Sequence, residues 1–146
     1  MSGEPGPKPE GTRPTVLVSN RQADPVDAEG LAALAADVLA GEGREGVELS
    51  LSFVTEDEIA DLHVRYMDEP GPTDVLSFPM DEDGLLGDVV VCPAVAAANN
   101  LGDPAGELRL LVAHGVLHLL GHDHEDAAER AAMWERQERY SGVRAP

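Results

Sequence analysis

The chain has 146 residues, an apolar fraction of 42% and a formal net charge of −18 from 10 basic and 28 acidic side chains. That length carries one domain with one core, and the acidic balance argues against tight nonspecific binding to nucleic acid, where affinity comes largely from Lys and Arg on phosphates. The longest apolar run, 108–120, falls short of the roughly 20 residues of a helical bilayer span, so a soluble protein is expected.

Positions 1–14 mix Pro5, Pro7, Pro9 and Pro14 with Gly3, Gly6 and Gly11. Lost backbone donors and high chain entropy predict a disordered tail there, with a single folded domain over 15–146. The tail has no apolar segment that fits a secretory signal. Residues 15–19 (TVLVS) predict a strand. Asp24 and Pro25 predict a helix start, an N-cap followed by proline at the first helical position. Leu31, Leu34, Ala35, Val38 and Leu39 follow at helical spacing up to the break at Gly41, Glu42 and Gly43. Residues 47–54 (VELSLSFV) alternate apolar and polar, a second strand. Thr55 and Glu58 have the form of a capping box, each satisfying the other's exposed amide, and open a helix through Ile59, Leu62 and Tyr66.

After the break at Pro70, Gly71 and Pro72, residues 74–78 and 87–92 predict two more strands joined by an acidic loop at 80–84. Residues 93–100 predict a short alanine-rich helix. Asp103 and Pro104 start another that ends at Gly121, a left-handed C-cap residue, and 126–140 predict a last surface helix with Met133 and Trp134 on its buried stripe. Cys92 is the only cysteine, so no intrachain disulfide or thiolate metal cluster forms. Its neighbours Val89, Val90 and Val91 predict an inert core thiol, and a reducing cytoplasm is the expected compartment. The expected fold is α+β: a small mixed four-stranded sheet packed with about five helices, with a metal site at the end of a helix in the C-terminal third.

The chain has five histidines, and His114, His118, His122 and His124 fall within one short stretch. His114 and His118 are four apart on a predicted helix, so their rings lie one turn apart on the same face. Gly121 ends that helix and lets the chain turn back, bringing His124 to the same point from the other side. Three neutral imidazoles with a fourth position open are the arrangement of a catalytic zinc, whereas structural sites close all four. The competing explanation is a pair of buried core histidines. Each would then need its own partner, since an unpaired buried polar group costs on the order of 1–3 kcal/mol, and one zinc ion satisfies both.

The ligand spacing also matches the long metzincin protease motif. In those proteases the glutamate acting as general base directly follows the first histidine, and here that position is Gly115. Water on a metal ionises near neutral pH, so a separate base is not required. Asp123 flanks His124 and is predicted to orient a ligand ring or move a proton. Neighbours at 122 and 124 point differently, so His122 is not counted among the ligands, and His63 is read as a surface residue of the second helix.

These residues resemble a known family. HGVLHLLGHDH at 114–124 resembles the signature H-G-x-L-H-L-x-G-Y-D-H of the bacterial YbeY-type endoribonucleases, PTDVLSFP at 72–79 resembles their second shared segment, and Gly87, Asp88 and Val89 are similar to their glycine-aspartate strand start. In element order the resemblance runs from about Thr15 to Tyr140. It implies an α+β fold with a mixed four-stranded sheet and one zinc ion bound by His114, His118 and His124. It also implies hydrolysis of single-stranded RNA, in 3′ maturation of small-subunit ribosomal RNA and in ribosome quality control. Two departures stand out. The family tyrosine before Asp123 is His122 here, and the functional arginine at the end of the second helix aligns with Met67. Arg65, two residues earlier, is the candidate substitute, although that shift turns a helical side chain by about 200°. Ser77 either offers its hydroxyl to a phosphate or faces water.

A zinc endoribonuclease is therefore the leading expectation. Its partners would be single-stranded ribosomal RNA and basic ribosomal proteins drawn to the acidic surface, with Arg65, Arg109, Arg130, Arg136 and Arg139 as candidates for a local basic strip. The alternatives are a zinc metalloprotease-like hydrolase, against which Gly115 counts, and a non-catalytic ribosome-assembly factor with a structural zinc.

Overall fold

The computed structural model describes residues 13–82, 84–122 and 126–143. Nearly all of the predicted tail, and both Asp123 and His124, lie outside them. The elements run β1 (Thr15–Asn20), α1 (Ala28–Gly41), β2 (Glu48–Phe53), α2 (Glu56–Met67), β3 (Val75–Glu82), β4 (Leu85–Val91), α3 (Pro93–Asn99), α4 (Pro104–Leu119) and α5 (Ala127–Ser141), the predicted order. The strands form a four-stranded sheet in the order β1-β2-β4-β3. β1, β2 and β4 are mutually parallel, and β3 returns antiparallel to β4. This is the mixed sheet of an α+β fold, as expected.

The two middle strands turn an apolar face to α1 and α4. On one face Leu49, Leu51 and Phe53 of β2 and Val89 and Val91 of β4 pack with Leu34, Val38, Val112 and Val116 from α1 and α4. Successive strand residues alternate between faces, so Val90 and Leu76 turn to the other side. There they meet Ile59 of α2 with Val54 and Cys92. Cys92 is fully buried, and burial pushes its thiol above the ordinary value, in keeping with an inert core thiol.

Three local expectations are corrected. The N-cap of α1 is Asp27, whose carboxylate accepts from the Gly30 amide at 3.0 Å, rather than Asp24. The Gln22 side chain holds Asp24 in the preceding loop, accepting from its amide at 3.0 Å and donating to its carbonyl at 2.9 Å. Thr55 caps α2 by accepting from the Glu58 amide at 3.2 Å. The reciprocal half of the box is replaced, because Arg21 donates to the Glu58 carboxylate at 2.7 and 3.1 Å. On α5 the inner stripe is Met133, Gln137 and Ser141. Trp134, one position round the helix from Met133, is 47% exposed and lies under the Arg130 guanidinium. The predicted end of α4 holds: Gly121 takes φ 98°.

Candidate metal centre

α4 starts where Asp103 accepts from the Gly106 amide at 3.0 Å, with Pro104 at its first position. Its inner face carries Leu108, Leu111, Val112, Gly115 and Val116, all buried. A Cβ built on Gly115 would stand 2.7 Å from Val89 Cγ1, and Ser77 Oγ donates to the Gly115 carbonyl at 3.1 Å. Gly115 is thus where α4 presses on the sheet, and a glutamate there would have to displace Val89. Ser77 is half-buried, and its hydroxyl ties β3 to α4.

His114 and His118 stand on the flank of the same helix. Their rings are parallel, with planes 8° apart and centroids separated by 6.1 Å. His114 is half-buried and its Nδ1 lies 2.6 Å from Gln137 Oε1 on α5. His118 is exposed, with Nδ1 3.2 Å from the His122 carbonyl oxygen. An amide or peptide oxygen only accepts, so both rings donate from Nδ1, which in a neutral ring puts the lone pair on Nε2. An imidazole prepared to bind a metal is held this way, its other nitrogen fixed by an oxygen acceptor.

Among the described residues no group of three His, Cys, Asp or Glu side chains is gathered around a possible metal position. The third expected ligand, His124, and the expected catalytic Asp123 both lie outside the described residues. His122 is engaged elsewhere: its Nε2 lies 3.0 Å from Glu42 Oε1 at the C-terminal end of α1. Tyr140 donates to the same carboxylate at 2.7 Å and Arg136 at 3.3 Å. Burial works against the Glu42 charge, but the hydrogen bonds from Tyr140 and His122 and the Arg136 charge outweigh it and hold the carboxyl below its ordinary value. Glu42 therefore joins α1, α5 and the turn after α4.

Gln137 and Glu42 were not among the predicted site residues. Gln137 had a readable signal, since it stands four residues from Met133 and four from Ser141 on one stripe. Glu42 had none, because its partners are 80 to 98 positions away. Of the candidate arginines, Arg130, Arg136 and Arg139 lie on α5. Arg65 is exposed on α2, in a 3.1 Å ion pair with Asp61, and makes no hydrogen bond or ion pair with His114 or His118 among the described residues. Arg109 donates to the Ser141 carbonyl at 2.8 Å, and Arg136 and Arg139 both face Glu42. His63 is tied to the Gly71 carbonyl at 2.9 Å.

The α2 side of the sheet holds a cavity of about 400 Å³ whose lining includes Arg21, Tyr66, Phe78, Met80 and Asp88. Asp88 Oδ1 is buried there without a hydrogen-bond partner. Burial raises the Asp88 pKa, against the opposing pull of Ser50 and Arg21.

The family described as Endoribonuclease YbeY matches residues 17–142. The chain is similar to the endoribonuclease YbeY of Thermobifida fusca, at 47% identity with 84% of this chain and 89% of that relative covered. It is similar to that of Beutenbergia cavernae at 48% identity, covering 82% of this chain and 90% of the relative. Among solved structures it resembles the solution structure of TM1509 from Thermotoga maritima, with a TM-score of 0.63 and 29% identity over 87% of each chain. The match over 17–142 and the extent of these similarities have one explanation: the chain belongs to the YbeY endoribonuclease family.

Proposed function

We propose that this protein is a zinc-dependent endoribonuclease that cuts single-stranded ribosomal RNA, acting in 3′ maturation of the small-subunit RNA and in ribosome quality control. The RNA substrate is supported by the family. The metal is supported by one observation above all, the parallel pair His114 and His118 with both Nδ1 atoms held by oxygen acceptors. His114, His118 and His124 would hold the ion. When bound, zinc supplies Lewis-acid polarisation of a phosphodiester oxygen and eases the ionisation of water. The chain's own contribution is to keep the two rings aimed, through Gln137 and the His122 carbonyl. Gly115 keeps a protease-type glutamate out of the helix, and Asp123 is the residue we assign to orienting His124 or moving a proton.

The net charge of −18 favours basic partners, so ribosomal proteins are the proposed means of bringing this acidic surface to RNA in the cytoplasm. Among the described residues no helix is long and apolar enough to cross a membrane.

The test offers purified wild type and His118→Ala the same three substrates: single-stranded RNA, duplex RNA and an unfolded protein. Wild type is expected to cut only the first, and chelation or the substitution is expected to abolish the cut. RNA cleavage that survives both would contradict a metal nuclease. Cleavage of the protein instead would restore the hydrolase alternative, and zinc binding without any cleavage would favour the assembly factor.

A further inference from the structure

We infer that Gln137 is the positioning residue for His114, holding its ring in the tautomer with the proton on Nδ1 so that Nε2 faces the metal. This rests on the metal reading above. The contact is 2.6 Å, short for a neutral hydrogen bond. Gln137 is 4% exposed, one of only three buried polar residues among those described, with Ser52 and Ser141. A long amide side chain loses rotamer freedom and hydration when buried, and it is kept in such a place where its hydrogen bond serves a purpose.

The surroundings of Gln137 leave it little freedom to move. Met133, one turn earlier, is fully buried. One turn later, the Ser141 carbonyl accepts from Arg109 of α4, and Tyr140 is anchored on Glu42. The two histidines are also supported unequally. His118 Nδ1 is held by a peptide carbonyl, which no substitution removes, whereas His114 depends on a side chain. A change at Gln137 should therefore loosen one ligand and spare the other. The oxygen that accepts is the functional part, so Glu at 137 should serve and an apolar chain of similar length should not.

Two measurements on wild type, Gln137→Glu and Gln137→Leu decide this, both at a pH where imidazoles are neutral. Long-range proton–nitrogen NMR of the metal-free protein should show His114 protonated on Nδ1 in wild type and Gln137→Glu, and a mixture of tautomers in Gln137→Leu, with His118 unchanged in all three. Zinc affinity measured by chelator competition should fall about 10- to 100-fold in Gln137→Leu and stay near or above wild type in Gln137→Glu. Should Gln137→Leu fail to fold, Gln137→Met replaces it with an unbranched chain and the same expectation. Unchanged zinc affinity and an unchanged His114 tautomer in the apolar variant would overturn the role of Gln137. A wild type that takes up no zinc would instead overturn the metal reading beneath it.

Discussion

A Cβ on residue 115 would fall 2.7 Å from Val89 Cγ1 and 3.3 Å from Ser77 Oγ, so α4 reaches the sheet at this point only without a side chain. Gly115→Ala should lower stability by about 1–3 kcal/mol, the usual cost of overpacking, read from urea unfolding; an unchanged midpoint would show that the helix can lift without cost. Asp88 lies at the opposite extreme, a carboxyl kept partly out of water with one oxygen unpartnered. Its pKa is raised in the folded state, so the folded protein holds this proton more tightly than the unfolded chain. Stability is then lost as pH rises past the ordinary aspartate value. Asp88→Asn should be the more stable protein at neutral pH, with the difference shrinking in acid; a less stable variant at neutral pH would contradict this. Much of the site is readable at this scale. His114 and His118 share a helix face by arithmetic alone, and Gly121 shows itself as a stop. Gln137 is harder to find, because its partner depends on how α5 docks. Trp134 lies off the buried stripe because the spacing of Met133, Gln137 and Ser141 sets the inner face of α5.

Between elements, Glu42 is the joint: a carboxylate at the end of α1 that receives hydrogen bonds from α5 and from the turn after α4. A negative charge at a helix C-terminus is unfavourable by itself, and here Arg136 and Tyr140 compensate. Glu42→Gln should cost about 2 kcal/mol, in the range for hydrogen bonds to charged groups, and should speed amide exchange in α5. The Glu42 carboxyl lies below its ordinary value, so its contribution is present above the ordinary glutamate range and is lost as pH falls through the lowered value. Wild type and variant should therefore converge in acid; a gap that stays constant with pH would contradict the ionic role of Glu42. Periodicity revealed the elements but not their joints. The α1 start lay three residues late because Gln22 holds Asp24 in the loop, and the capping box at Thr55 is half-formed because Arg21 takes Glu58.

For the molecule as a whole, the alternation of strands and helices gave the α+β class, but nothing in it placed β4 between β2 and β3. That order depends on nonlocal pairing, and it brings Val89 under Gly115. Charge sets the second whole-molecule expectation. With 10 basic against 28 acidic side chains, and Arg109 and Arg136 hydrogen-bonded within the fold, few cations remain to meet phosphates. Cleavage of free single-stranded RNA should depend only weakly on salt, with a log–log slope of magnitude below about 2 at roughly 0.7 per phosphate contact. A steep slope would reveal a basic track formed on binding. The metal centre itself is tested most directly by zinc titration of the metal-free protein, wild type against His114→Ala and His118→Ala. One equivalent bound by wild type, with affinity lost in both variants, is the expected result; a wild type that binds none, or variants that bind as wild type does, would contradict it.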